Sequence, residues 1–477
     1  MNTIAESIES IMAPISAALS SFVFFAVPIG GQQVPLIVMW LAIGALFFTF
    51  YFRFINVRGF WLAIRHIRGD FKDDSADGQI SHFQALSTAV SGTVGVGNIG
   101  GVAVAITIGG AGAAFWIFLA GILSMSTKLI ECTLGVKYRR VNPDGSVSGG
   151  PMFYLDAYFS ERDKPRIGRI LGASYAAALV IGCLGIGNMF QSNQAFAQML
   201  TITGGESSAL ADHGLLFGLV LAGTVAFVII GGIRSIARAA AVLVPFMAAI
   251  YIVGCLVVIS MSWQHIPSAI ASAAQSALGL DAMGGGALGA MIIGFQRALF
   301  SNEAGLGSAS IAHSAVKTKD PASEGLVALL EPFIDTVVVC SLSSLVILTT
   351  AVPNGLMGGQ LAGIELTSAA FAFHLPWSPY LIAVAAILFA FSTALAWSYY
   401  GLTAWHYLVG IGKKRTIMFQ IVFCAFLVLG CILELKAVLD FSDAMIFLIS
   451  VPNLIALYLF APSVKREVES YMRSIQS

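Results

Sequence analysis

The chain has 477 residues, 57% apolar and only 10% charged, with 49 glycines and a mean hydropathy of +0.86. A soluble domain carries about a quarter charged residues, so this is the composition of a membrane protein; it excludes disorder, a collagen-like repeat and a disulfide-stapled secreted domain. The 25 Lys and Arg residues balance 25 Asp and Glu, leaving no basic field for nucleic acid.

A helix needs roughly 20 apolar residues to cross a bilayer core, and the sequence predicts eleven such spans. No Lys or Arg precedes Arg53, so a cleaved signal peptide is not expected. A leading span runs about Leu36 to Tyr51. Spans 1 to 5 cover Phe83 to Ile108, Ala113 to Leu134, Ile170 to Leu200, Leu215 to Ile230 and Ala239 to Ile259. Spans 6 to 10 cover Ala287 to Ile311, Leu326 to Val352, Tyr380 to Tyr407, Ile417 to Leu433 and Phe441 to Phe460. Two outer connections, Ile266 to Leu280 and Ile364 to Phe373, are too short or too weakly apolar to span and read as interfacial helices, candidate lids.

Basic residues fix the orientation, because cytoplasmic loops retain Lys and Arg. On this count 22 of the 25 fall on one side, from Arg53 to Lys72, Lys137 to Arg169, Arg234 and Arg238, Lys317 and Lys319, Lys413 to Arg415, and Lys465 to Arg473. Only Lys436 lies opposite, while Lys128 and Arg297 sit within spans. The expectation is a multi-pass protein of the plasma (bacterial inner) membrane, N-terminus outside and C-terminus cytoplasmic. It divides into residues 1–82 (leading helix and basic loop), 83–261 (spans 1 to 5), 262–461 (spans 6 to 10 with the outer helices) and 462–477 (cytoplasmic tail). The six cysteines show no metal spacing and read as buried thiols, and none of the seven histidines falls in a site-like cluster.

Two spans are interrupted alike. Span 1 contains Ser91-Gly-Thr-Val-Gly-Val-Gly-Asn-Ile-Gly-Gly101, and span 6 runs into Phe300-Ser-Asn-Glu-Ala-Gly-Leu-Gly-Ser308. Glycine clusters at mid-membrane predict unwound chain, which survives there only where it lines a cavity or meets a ligand. The interrupted spans are five apart, so spans 1 to 5 and 6 to 10 read as halves of an inverted repeat, an all-α fold preceded by one extra helix. Paired breaks point to a secondary transporter's site: free amides for a carboxylate and freed carbonyls for a cation.

The motifs GTVGVGNIGGVAVAI (Gly92 to Ile106), GGAGAAFW (Gly109 to Trp116), GNMFQSNQAFAQ (Gly187 to Gln198), FSNEAGLGSASIAH (Phe300 to His313), EPFIDT (Glu331 to Thr336) and FAFSTALAWSYYG (Phe389 to Gly401) resemble the alanine or glycine:cation symporter family, a branch of the LeuT-type fold. The resemblance runs from about Gln84 to Phe460. It implies sodium-driven uptake of alanine, glycine or similar small amino acids by alternating access, with sodium as coupling ion and no other cofactor. A proton-coupled or exchange-type carrier on the same fold is the alternative. A channel would need a continuous polar pore, and an enzyme a nucleophile-base or metal constellation that the sequence does not offer. Gly100, Ala111 and Ile117-Phe118 depart from the family's usual GNIAG, GGPG and FWMW.

By its similarity to LeuT-type sites, Asn98 is a cation ligand with the Thr93 carbonyl and the Ser301 hydroxyl. Gly95 and Gly97 offer amides to the substrate carboxylate, beside Val94 and Phe300. Ser392 and Thr393 are candidates for a second cation position, completed by carbonyls at Ser91 and Val94. Trp397 is a candidate wall for the substrate side chain. Gln191, in the polar run Gly187 to Gln194, is a candidate substrate ligand. Glu303 and Asp335 are intramembrane acids, read as proton carriers or as structural partners of Arg297 or Lys128; Lys128 with Glu131 at i, i+3 reads as an ion pair.

Overall fold

The structure, a computed structural model, describes residues 2–29, 32–71, 75–142, 145–279, 286–357 and 361–476. Lys72 and Leu280, named above, lie outside them. Helix α1 (Asn2–Val23), absent from the span count, packs on the last helix, with Phe24 edge-on to Phe447 at 5.1 Å. An antiparallel ladder, β1 (Ala26–Ile29) with β2 (Gln32–Pro35), leads to α2 (Leu36–Tyr51), the leading span. Short helices α3 (Ile55–Arg58) and α4 (Phe60–Arg68) follow it. Span 1 is α5 (His82–Thr93) and α6 (Gly100–Gly109), and span 2 is α7 (Ala111–Lys137). A second ladder, β3 (Arg140–Val141) with β4 (Val147–Ser148), and α8 (Pro151–Ser160) precede span 3.

Span 3 is α9 (Pro165–Gly182), a π-helical turn Gly185–Met189, and α10 (Phe190–Thr203). Spans 4 and 5 are α11 (Gly214–Ile229) and α12 (Gly232–Met261); α13 (Ile266–Leu278) is the first of the two helices expected at the outer face. Span 6 is α14 (Gly286–Asn302) and α15 (Ser308–His313). Span 7 combines α16 (Pro321–Ala328), α17 (Leu330–Pro332) and α18 (Ser341–Val346) with π-helical stretches Phe333–Cys340 and Ile347–Ala351. The second helix expected at the outer face is α19 (Ile364–Ala372), and α20 (Ser378–Val409), α21 (Lys413–Gly430) and α22 (Leu435–Gln476) follow. Because α22 runs on past residue 461, the expected boundary at 462 falls within one helix.

Among the described residues, six helical segments are long and apolar enough to cross a membrane, and seven when α5 and α6 count as one bent span. At 16 residues each, α2 and α11 are about 24 Å long, short of the ~30 Å hydrocarbon core. Several basic connections meet at one end. Arg139 donates to the carbonyls of Asp77, Ser314, Val316 and Thr318, and Lys137 pairs with Glu467 of α22. At the other end α13 crosses α7 and α14, and Thr367 of α19 donates to the Ile99 carbonyl at 3.0 Å.

Candidate substrate and cation site

Helix α5 starts on a capping box: Ser81 Oγ accepts from the Gln84 amide and Gln84 Oε1 accepts from the Ser81 amide. It stops at Thr93 because Gly95 is extended, with φ −127° and ψ −167°. The chain resumes as α6 after one 3-10 turn, bent by 59°. Two amides freed by this break are taken by side chains: Gly95 N–H donates to Asn98 Oδ1 at 2.9 Å, and Val96 N–H to Gln191 Oε1 of span 3 at 3.0 Å. Gly95 has no room for a side chain, since a Cβ would lie 2.8 Å from Thr393 Oγ1 and 2.9 Å from Gln191 Oε1. That Thr393 hydroxyl is buried and has no hydrogen-bond partner among the described residues.

Span 6 breaks beside it. Glu303 has φ 56°, an uncommon conformation for a residue with a side chain, and Gly305 and Gly307 follow at 92° and 78°. Just before the break, Ser301 meets Asn98 and Asp335. Asn98 Nδ2 stands 2.6 Å from Asp335 Oδ1, 2.9 Å from Ser301 Oγ, 3.2 Å from the Asp335 carbonyl and 3.3 Å from Cys340 Sγ. An amide nitrogen has two hydrogens, so four acceptors around it make an acceptor-rich cage. Asp335 Oδ2 in turn accepts from Ser301 at 2.8 Å and Thr336 at 2.6 Å. Residues from spans 1, 6 and 7 thus converge on one buried carboxylate. The Asn98 side-chain oxygen, expected to ligate a cation, faces the Gly95 amide, and its nitrogen faces the cage.

Other expected site residues lie around these two. Gly97 faces the Phe300 ring, 3.4 Å from where its Cβ would be, and Phe300 packs edge-on against Phe190 at 5.4 Å. Ser91 Oγ donates to the Ser392 carbonyl at 2.6 Å, joining spans 1 and 8, while the Ser392 hydroxyl turns to the Phe389 carbonyl and Met247 Sδ. The Thr93 hydroxyl bonds back to its own helix. Trp397 Nε1 donates to Glu303 Oε1 at 2.9 Å, and the indole lies on Gly187, where any Cβ would collide with it. Val94, Asn98, Gln191, Phe300, Ser301 and Thr393 are all buried.

Two expected pairings differ. Arg297 pairs with Asp443 of α22, leaving Glu303 to accept from Trp397 and from Ser308 at 2.5 Å. Lys128 pairs with Glu331 of span 7 at 2.9 Å, while Glu131 Oε1 accepts from the Gly307 amide and from Asn453 of α22. Three histidines do lie near one another, without forming a metal-holding group among the described residues: His82 and His313 both bind Glu324, His313 at 2.5 Å, and the His66 ring centre lies 5.5 Å from that of His82. His313 ends α15 whereas Glu324 lies on α16, and His82 belongs to another span, so neither partnership could be read from the repeat of one helix.

Two broken spans meet at buried oxygen groups, and a solved structure shares the fold that holds them. The chain superposes on MhsT in complex with L-phenylalanine with a TM-score of 0.59 at 15% identity, covering 82% of this chain and 93% of that one, a likeness in fold of LeuT type. The chain belongs to the sodium:alanine symporter family, which it matches over residues 23–477. It is 37% identical to the sodium/alanine symporter AgcS of Methanococcus maripaludis, over 91% of this chain and 94% of that one. It is 32% identical to the probable sodium/glutamine symporter GlnT of Bacillus subtilis, over 92% and 88%. To the putative sodium/proton-dependent alanine carrier protein YrbD of the same organism it is 32% identical, over 92% and 90%. It is therefore a multi-pass membrane transporter of a symporter family.

Proposed function

We propose that this protein couples sodium entry to uptake of small neutral amino acids, alanine and glycine first, by alternating access across eleven spans arranged as five plus five after one leading helix. The N-terminus is outside and the basic end, with the C-terminus, is cytoplasmic. The observation that carries the reading is the buried cage of Asn98, Ser301 and Asp335 beside the span 1 break. A hard cation replaces its hydration shell with several oxygens, and rotation of the Asn98 amide would turn its oxygen into the cage with Ser301 and the Asp335 carboxylate. The same rotation would release the Gly95 amide from Asn98 Oδ1, and the Gly95 and Gly97 amides, with the Gln191 side chain, would receive the substrate carboxylate next to that cation, beside the Phe300 ring. The unpartnered Thr393 hydroxyl supplies an oxygen for a second cation position with carbonyls of Ser91 and Val94. Trp397 limits the substrate side chain from span 8.

Flux of labelled alanine into proteoliposomes under imposed sodium or proton gradients tests the coupling. Uptake that follows sodium alone is expected; uptake that follows the proton gradient with no sodium requirement would overturn it. Thr393→Val keeps shape and deletes the oxygen. It should raise the sodium concentration for half-maximal uptake about tenfold, worth ~1.4 kcal/mol, and leave alanine affinity at saturating sodium nearly unchanged.

A further inference from the structure

At the basic end of the molecule a cavity of about 300 Å³ opens between the turn after α2 and the far end of α22. Arg53 and Arg58 line one side, Lys465 and Arg473 the other, against Glu469 as its one acid. None of the four cations forms an ion pair among the described residues. Arg473 Nε donates to the Glu469 backbone carbonyl at 3.2 Å, and Lys465 Nζ stands 4.3 Å from the centre of the Tyr51 ring. Charges of one sign held around a concavity repel each other unless an anion fills it.

The turn carrying Arg53 is unusual. Arg53 and Phe54 are consecutive non-glycine residues at φ 54° and 55°, and such conformations persist where the surroundings hold them and often mark function. Phe54 is 47% exposed, and Val57 and Trp61 are each 71% exposed, all within three residues of Arg53 or Arg58 along the chain. Aromatic side chains at the end of a spanning helix sit at headgroup depth, and a basic pocket between helices at that depth matches a lipid phosphate. A free phosphate would satisfy the cations and leave this apolar margin in water; a lipid satisfies both.

We propose that this cavity binds the phosphodiester headgroup of an anionic membrane lipid, with the acyl chains along Phe54, Val57 and Trp61, so that the lipid bridges the leading helix to α22. Only its siting in the cytoplasmic leaflet rests on the orientation proposed above; the binding does not.

Native mass spectrometry of the full chain tests this, with phosphatidylglycerol, phosphatidylcholine or inorganic phosphate added to the detergent solution. Phosphatidylglycerol adducts should survive activation that strips phosphatidylcholine. The combined R53Q, R58Q and K465Q variant should lower the adduct fraction at least tenfold, whereas an R162Q and R166Q variant, altered at exposed cations elsewhere, should match the unaltered chain. Equal retention of phosphatidylcholine, wild-type adducts in the triple variant, or displacement by equimolar inorganic phosphate would each overturn the proposal. If the triple variant does not fold, the K465Q single variant and the unaltered chain decide it. Adducts must fall in the former, and in the latter as salt rises from about 50 to 500 mM; insensitivity to both refutes an electrostatic site.

Discussion

Asp335 illustrates what a single residue shows in a sequence and what it hides. An acid within a span is expensive and so is a functional candidate on sight, but nothing in its spacing names partners 34 and 237 residues away. The fold supplies them by closing spans 1, 6 and 7 on one point. Two readings of the carboxylate then differ in a measurable way. If it only holds Asn98, Ser301 and Thr336 in place, Asp335→Asn keeps most of those hydrogen bonds and changes sodium dependence little. If its charge balances a bound cation, the same substitution should raise the half-saturating sodium concentration at least tenfold, equivalent to ~1.4 kcal/mol or more. Sodium titration of alanine uptake at fixed protein level distinguishes them, and the second result is expected. Trp397 is the opposite case. The sequence makes it a candidate pocket wall on span 8; its hydrogen bond to Glu303 and its seat on Gly187, within a π-helical turn, are not revealed by hydrophobic periodicity.

Among the elements, the breaks were readable because glycine clusters state their own conformational freedom, and α5 to α6 and α14 to α15 interrupt within those clusters. Helix α19 was readable as an apolar stretch too short to span; what it covers was not, because the contact joins Thr367 to the Ile99 carbonyl across 268 residues. At Gly100, where the family pattern has alanine, a Cβ would lie 2.9 Å from the Ile364 amide, 3.1 Å from Gln194 Oε1 and 3.3 Å from the Gly363 carbonyl carbon. Alanine would favour the helix by up to ~1 kcal/mol. The contact with the Ile364 backbone cannot be relieved by turning a side chain, so the seat of α19 must give. Gly100→Ala should therefore loosen the Thr367 to Ile99 hydrogen bond and open the outer end. A cysteine introduced at the buried Ala370 should react several-fold faster with an impermeant thiol reagent in that background than with Gly100 present; equal rates would show that α19 accommodates the methyl group. Helix α1 was missed because its first half carries Glu6 and Glu9, and only its contact with α22 explains its place.

Across the whole molecule, charge segregation anticipated which connections share an end, and the contacts of Arg139 and Lys137 tie four of those segments together. It could not anticipate that the same end carries a buried polar cluster reaching inward from Tyr471 and His66 through His82, Glu324 and His313 to Glu331 and Lys128. His66, on α4 and outside the spans, is 1% exposed, and its Nε2 lies 3.0 Å from the Tyr471 hydroxyl. Burial first, then the neighbouring His82, holds its pKa down to about 4, with Arg65 acting the same way and Glu324 and Asp70 opposing. The folded chain therefore keeps this imidazole neutral where the unfolded chain protonates it. Above the unfolded value near 6.5 both states are neutral and His66 makes stability independent of pH. As the pH falls from there to about 4 the unfolded state gains a proton that the folded state refuses, and stability drops; below about 4 both are charged and the loss levels off. At 1.36 kcal/mol per unit of pKa, the loss across that window is of order 3 kcal/mol. Thermal unfolding in detergent at pH 7.5 and 4.5 should thus show a smaller difference for His66→Gln than for the unaltered chain, with the histidines and acids elsewhere contributing equally to both. Parallel curves would mean that His66 opens to solvent before it protonates.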